Sequence, residues 1–301
     1  MQASQASQAL APPVTVAQKT TASRRAILRS PVLRNTRVRL GLLGVFALVF
    51  VALFAGWIAP NDPTKMDYMH AYASPGQNGF ILGSDEYGRD VLSRLLYGAR
   101  VSLQSSVLAI VLSTVIGVGL GLLAGYFGGI VDAIIMRAMD VLLCFPPILL
   151  AIALLTFLGN SQTNLIIAMT ALFVPGFVRV IHASVRMVRH EEYVVAARSL
   201  GATSTRIILT AVLPNILSPI LIRASATLGA AILLESGLSF LGLGSVPPTP
   251  SWGIMLSSGR TFMTHQMWLL VWPSVAVAFA ILVANLLGDG LRDALDPRLR
   301  R

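Results

Sequence analysis

The sequence predicts an all-α integral membrane protein with six transmembrane helices, and three observations carry that prediction. Only 12% of the 301 residues are charged while 55% are hydrophobic, with a mean hydropathy of +0.73; a soluble domain carries about 25% charged residues. The scarce charge is also bunched. No Asp, Glu, Lys or Arg falls between Arg39 and Asp62, Arg100 and Asp132, Asp140 and Arg179, or Arg260 and Asp289, and a helix needs ~20 mostly apolar residues to cross a bilayer. Finally, the net charge of +10 is placed asymmetrically. Lys19, Arg24, Arg25, Arg29, Arg34, Arg37 and Arg39 precede the first apolar run with no acid among them. The segment after that run is nearly balanced, with Asp62, Asp67, Asp85, Glu86 and Asp90 against Lys65, Arg89, Arg94 and Arg100. The positive-inside rule therefore puts the N-terminal segment in the cytoplasm. This composition excludes a soluble enzyme, a disordered tail and a disulfide scaffold. The basic balance reads as topology and contact with anionic membrane lipid. Nucleic acid is not an expected partner, since its footprint needs a soluble basic face.

The elements follow in order. Residues 1–39 form a basic cytoplasmic tail; its acid-free, Arg- and Ser-containing composition also fits an organellar transit peptide. Residues 40–60 are helix 1, too long for the core of a cleaved signal peptide and stopped by Pro60-Asn61-Asp62-Pro63. Residues 61–98 form an external segment, a Gly-, Pro-, Asn- and Asp-rich loop that leads into an amphipathic helix over 90–103. With Val91, Leu92, Leu95 and Leu96 on one side and arginines on the other, that helix is expected to lie at the membrane interface.

The main transmembrane domain covers 99–290. Helix 2 spans 105–125, with Gly117, Gly119, Gly121 and Gly125 spaced for close packing. The polar cluster at 159–164 cuts the next uncharged stretch into helix 3 (135–158) and helix 4 (165–187). Helix 5 covers 215–244, and a loop at 245–253 with a short external segment leads to helix 6 at 268–288. Trp252, Trp268 and Trp272 are expected in the interfacial aromatic belt. Six helices starting inside place both termini, the loop at 188–214 and the tail at 291–301 in the cytoplasm.

The motifs that are missing narrow the function. Lys19 and Lys65 are the only lysines, and neither sits in a phosphate-cradling GxxxxGK[ST] loop. His70, His182, His190 and His265 form no metal-ligand pattern, and there is no G-x-S-x-G nucleophile elbow. No cofactor, metal or catalytic residue is expected in this chain, so transport would draw its energy from ions or from a partner. Cys144, the only cysteine, lies in an apolar run and reads as inert packing. Arg223 and Glu235 are charges inside helix 5, about 18 Å apart at helical rise and too distant to pair. Glu235 is a candidate for contact with the path or with a partner, against a structural role near the outer interface or bonded to a neighbouring helix. Arg137 and Asp140 are spaced for a local ion pair, while Arg179 and Arg186 are placed to snorkel.

The most informative stretch is the cytoplasmic loop at 188–214, containing His190-Glu191-Glu192-Tyr193-Val194-Val195-Ala196-Ala197-Arg198-Ser199-Leu200-Gly201-Ala202. Acids at its start and Arg198 near its end suit a helix dipole. Ala196 and Ala197 allow another surface to approach, Gly201 allows a sharp exit, and Leu213-Pro214 opens the next span. Ala196-Ala197, three residues, Gly201, then Leu213-Pro214 resembles the EAA loop of ABC-importer permease subunits. Val195 stands in place of that motif's glutamate and Ala211 in place of its isoleucine. The resemblance implies that this loop is the coupling helix docking on an ATPase subunit.

Two further stretches resemble the dipeptide/oligopeptide/nickel group of these permeases. One is the external signature from Leu82 through Gly83, Asp85, Glu86, Gly88, Arg89, Asp90 and Arg94 to Tyr97-Gly98-Ala99-Arg100. The other is Phe240-Leu241-Gly242-Leu243-Gly244 with Pro247-Pro248-Thr249-Pro250-Ser251-Trp252-Gly253. The tail from Gly288 to Pro297, with Arg292, Asp293 and Asp296, is similar to the second ("C") permease of dipeptide systems.

The resemblance spans about residues 40–301. It implies a type I ABC importer permease fold in a bacterial inner membrane, which disfavours the transit-peptide reading. The implied partners are a homologous permease in a heterodimer, two ATPase subunits that bind ATP and Mg, and an external binding protein. The implied substrate is a di- or oligopeptide, with glutathione-like peptides, chelated nickel or another small solute as alternatives. An ion-driven secondary transporter would want more buried acids and inverted repeats. A membrane subunit of an electron-transfer complex would want paired His or Cys within its spans.

Overall fold

The computed structural model describes residues 36–295, which form helices, turns and loops with a single bridge pair, Ser84 with Asp90. The bases from Lys19 to Arg34 and the tail residues Asp296, Pro297, Arg298, Arg300 and Arg301 lie outside the described residues. Among the described residues, five helices are long and apolar enough to cross a membrane: α1 (Thr36–Ile58), α2 (Val91–Phe127), α5 (Gln162–Val188), α8 (Leu213–Phe240, continuous with the segment before it) and α10 (Trp268–Leu295). The sixth span is a bent pair. α3 (Gly129–Leu143) and α4 (Pro147–Leu158) pass the same test together but meet at 93°. The break falls at Phe145-Pro146-Pro147, because Pro146 and Pro147 supply no N–H for a continuing helix.

α2 is the central post, 37 residues and ~54 Å long at helical rise. It packs along α5 because its small residues recur every fourth position. Gly117, Gly121 and Gly125 face Phe177, Ile181 and Val185, and a Cβ on Gly121 would lie 2.7 Å from the Ile181 Cβ. Gly119 points the other way and meets nothing within 4 Å, so it takes no part in this packing. α1 lies antiparallel to α10 in the same manner, with Gly41 against the Leu287 backbone and Gly44 against Val283.

Among the described residues, two of the apolar clusters bear on the sites below. One joins α2, α4, α5 and α8 through Ala109, Leu155, Leu165, Met169, Phe177 and Leu238. The other, at the far end of α2, joins Leu122, Tyr126, Ile181, Val185, Ile216 and Ile220 to the short elements between α5 and α8.

Several expectations from the sequence are corrected. The segment 90–103 is not a separate helix; it is the start of α2, capped by Asp90, whose side chain accepts the Ser93 N–H at 3.1 Å. Helix 3 begins at Gly129 and is broken rather than straight. The region after 250 contains a further helix, α9 (Trp252–Thr261), capped by Ser251, and α10 continues seven residues past 288 through Arg292 and Asp293. Trp252 is only 2% exposed and donates its indole N–H to the Leu95 carbonyl at 3.0 Å, which removes it from any aromatic belt. Asp140 pairs with Arg179 of α5 at 2.6 Å instead of with Arg137, so Arg179 anchors α3 rather than snorkelling. Cys144, expected buried, is exposed at the α3–α4 break.

Candidate functional site

The predicted loop between α5 and α8 folds as a compact surface module. α6 (Glu192–Ser199) starts after Glu191, carries Glu192 in its first turn and Arg198 in its last, and so opposes its own dipole at both ends. Val194 is its anchor, fully buried among Leu122, Tyr126, Val185, Ile207, Val212 and Ile216. The rest of the helix is open: Glu191, Glu192, Tyr193, Val195, Ala196, Arg198, Ser199 and Leu200 are exposed, and Ala197 is half-buried.

The exit from α6 has the geometry of a Schellman motif. Gly201 N–H donates to the Arg198 carbonyl at 3.0 Å and Ala202 N–H to the Ala197 carbonyl at 3.1 Å. Gly201 sits at φ +79°, a left-handed conformation that disfavours a Cβ. The chain then makes α7 (Ser204–Ile207), whose cap Thr203 accepts the Arg206 N–H, and a π-helical segment Ile208–Val212 before α8. Pro214 lacks an N–H at that junction, and the Asn215 side-chain amide donates to the Ala211 carbonyl at 2.7 Å.

The module is tied to the bundle electrostatically. Arg189 donates to the Gly125 and Tyr126 carbonyls at 3.0 and 3.3 Å, closing the end of α2, and the Arg198 guanidinium lies 5.6 Å above the Tyr126 ring. Partial desolvation, reinforced by the Glu191 charge, pushes the Tyr193 phenol above its ordinary value, and a hydrogen bond with the Asn215 side chain acts the other way.

At the opposite end of α2, most of the external-signature residues converge in one buried ionic cluster. Asp85 accepts the Arg89 Nε at 2.7 Å and the backbone N–H groups of Tyr87 and Arg89 at 2.9 Å, and lies 3.3 Å from the Arg94 Nε. Arg89 also donates to Glu86 at 3.2 Å, and Arg94 donates to the Pro63 carbonyl at 3.0 Å. Asp90 sits beside the cluster as the α2 cap. Gly83 and Gly88 both take positive φ, and a Cβ on Gly88 would collide with the Asp67 carbonyl. Arg100 stands apart, exposed on the outer face of α2.

Glu235 is fully buried where α2, α8 and α9 meet. It accepts the Ser239 hydroxyl at 2.9 Å and also interacts with Ser236 and Ser102. Ser102 in turn accepts the Trp252 backbone N–H at 3.2 Å. Among the described residues no cation pairs with it. Arg223, as expected, lies elsewhere, packed beside Gly176 with its guanidinium 5.8 Å from the Phe177 ring.

Val194, Arg189 and Pro63 are structural contributors that the motif spacing does not reveal. Val194 and Val195 are adjacent valines in α6 and the motif does not distinguish the buried one from the exposed one, while Arg189 and Pro63 act through backbone carbonyls that leave no mark in sequence. Among the described residues no group of three His, Cys, Asp or Glu could hold a metal ion.

Comparison with known proteins agrees with this architecture. Residues 117–301 match the family model "Binding-protein-dependent transport system inner membrane component", and residues 32–75 match "N-terminal TM domain of oligopeptide transport permease C". The chain is 42% identical to the Di/tripeptide transport system permease protein DppC of Pseudomonas aeruginosa, over 86% of this chain and 88% of that one. It is 42% identical to the Glutathione transport system permease protein GsiD of Escherichia coli, over 86% and 85% respectively. A chain of the MetNI methionine ABC transporter, solved in inward facing conformations, shares the fold with a TM-score of 0.55 at 16% identity, covering 67% of this chain and 96% of that one. The chain therefore belongs to the family of binding-protein-dependent transport system inner membrane components, as a multi-pass permease subunit of an ABC importer whose ATP hydrolysis resides in separate subunits.

Proposed function

We propose that this subunit forms, in a heterodimer with a homologous permease, the path for di- and oligopeptides through a bacterial cytoplasmic membrane. An external binding protein delivers the peptide, and two ATPase subunits bind ATP and Mg. Both termini and α6 face the cytoplasm, in keeping with the bases ahead of α1, while the Asp85 cluster and α9 face outward. Closure of the ATPases pushes on α6, and Val194, Arg189 and Arg198 pass the displacement into α2, α5 and α8. The bundle then changes access by a shift between two packings rather than by chemistry in this chain. Glu235 supports the α2–α8–α9 junction through its serine partners.

The observation that carries this reading is the exposed, rigidly closed α6 seated on the bundle by one buried side chain. The peptide substrate rests on the names of relatives that cover most of the chain, such as the DppC of Pseudomonas aeruginosa. A glutathione-like peptide is the second reading, favoured by the equal identity to the Escherichia coli GsiD.

The test is reconstitution with the partner subunits, measuring ATP hydrolysis and uptake with and without a dipeptide-loaded binding protein. Stimulated hydrolysis and dipeptide uptake are expected. Deleting residues 193–201 is expected to abolish both; intact transport by that deletion would remove α6 from the mechanism. Glutathione competing better than dipeptide for uptake would select the second reading.

A further inference from the structure

Arg100 is a lone cation on the wall of a membrane span. It is exposed, ten residues into α2, and among the described residues it makes no ion pair or hydrogen bond. Its neighbours explain where it lies. Gly56, near the end of α1, is beside the Tyr97 hydroxyl, and Arg100 follows Tyr97 by three residues, ~4.5 Å further along α2. That depth is just inside the end of α1, where the apolar core of a bilayer meets its headgroups.

Arg100 also stands at one end of a groove of about 370 Å³ between the antiparallel α1 and α2. Val49, Ala52 and Leu53 form one wall, and Leu103 and Val107 form the other. Gln104, exposed and one turn beyond Arg100, adds a second polar group on the same face, since residues four apart are neighbours on a helix. The groove is thus apolar along its length and carries a guanidinium with an amide beside it near the headgroup level.

We propose that this groove is a binding site for an anionic phospholipid, with the headgroup phosphate on Arg100 and Gln104 and an acyl chain along α1 and α2. A charge facing hydrocarbon is costly unless it finds a partner or reaches the interface. Arg is suited to phosphate because its planar fork gives two parallel hydrogen bonds. The apolar walls supply acyl contacts that a free phosphate ion cannot use. The site rests on the membrane-spanning architecture and not on the identity of the transported substrate; on the orientation proposed above, it belongs to the outer leaflet.

The experiment uses the assembled importer containing this chain, extracted in mild detergent and titrated with palmitoyl-oleoyl phosphatidylglycerol or with the matching phosphatidylcholine. Bound lipid is counted by native mass spectrometry, and melting temperature is followed in nanodiscs of each lipid. The wild-type assembly is expected to retain phosphatidylglycerol preferentially and to melt higher in it. Arg100→Gln is expected to weaken that retention about fivefold, the effect of one basic residue at a lipid surface, and Arg100→Lys to restore part of it. Leu53→Trp, which fills the groove and leaves Arg100 in place, is expected to lose the lipid while keeping the subunits together. Equal retention of phosphatidylglycerol by wild type, Arg100→Gln and Leu53→Trp would overturn the proposal. So would loss of the partner permease from Arg100→Gln with no difference between the two lipids, which would make Arg100 a contact to that subunit. Retention of inorganic phosphate alone, unaffected by Leu53→Trp, would likewise overturn the acyl-chain site.

Discussion

Ala202 donates its backbone N–H to the Ala197 carbonyl at 3.1 Å, five residues back along the chain. That bond accounts physically for the spacing of the motif in this loop. Ala197 is the third residue from the end of α6, Gly201 is the left-handed residue that turns the chain, and Ala202 returns to touch Ala197. Both alanines pack against the cluster that holds Val194. The Ala-Ala, three residues, Gly pattern therefore specifies a stiff end to a short helix, which is the property a push-rod needs.

Gly201→Ala is expected to loosen that end by about 1 kcal/mol, the cost of a left-handed conformation for a residue with a Cβ. No atom lies within 4 Å of the added carbon, so the effect is pure backbone strain. Amide exchange over residues 192–202 should quicken in the variant, and less so in Gly201→Asn, because Asn tolerates the left-handed region.

Truncating the anchor tests the seating of the helix rather than its closure. Val194→Ala removes about two methylene equivalents from a fully buried site, a loss of ~1.5 kcal/mol or more. Exchange in α6 should rise more than exchange elsewhere in the bundle, because α6 loses its one buried side chain while α2, α5 and α8 keep their other partners in the cluster.

The α2–α5 seam predicts opposite outcomes for two glycines two residues apart. Gly121→Ala drives a Cβ to within 2.7 Å of the Ile181 Cβ and is expected to cost about 1–3 kcal/mol. Gly119→Ala meets nothing in this chain and is expected to raise stability by up to ~1 kcal/mol through helix propensity. Thermal unfolding of the two variants in one detergent decides this.

In the loop cluster, Asp85→Asn leaves Arg89 and Arg94 buried without their shared anion and is expected to cost about 3–5 kcal/mol. Glu86 behaves differently. Burial, then the neighbouring Asp85, pushes its carboxyl above the ordinary 4.5, so the folded state holds the Glu86 proton more tightly than the unfolded chain does. Its contribution is present below pH 4.5 and is lost as pH rises through the raised value. Glu86→Gln should therefore raise the melting temperature at pH 7 and flatten the slope just above pH 4.5.

The sequence revealed the spans and the coupling loop because each has a local signature: uncharged length, a turn glycine, a proline opening a helix. It misled where the partner lies far along the chain. Arg94 looks like the polar side of an interfacial helix, yet it is buried because Asp85 and the Pro63 carbonyl receive it. Asp140 has Arg137 at helical spacing, but Arg179 from α5 reaches it instead. Trp252 reads as a belt residue until Leu95, 157 positions earlier, offers its carbonyl. Glu235 shows the same limit, since its serine partners include Ser102 of another helix.

On the function proposed above, α6 is the contact through which the ATPases move the bundle, and a site-directed cross-link tests that most directly. Val195 is half exposed on the outer face of α6, so Val195→Cys in a Cys144→Ser background gives this chain one reactive thiol there. In the assembled importer, a short bifunctional reagent is expected to join that cysteine to an ATPase subunit, with a yield that changes when ATP is added. No cross-link to any ATPase subunit, in an assembly that still hydrolyses ATP in response to loaded binding protein, would contradict the account.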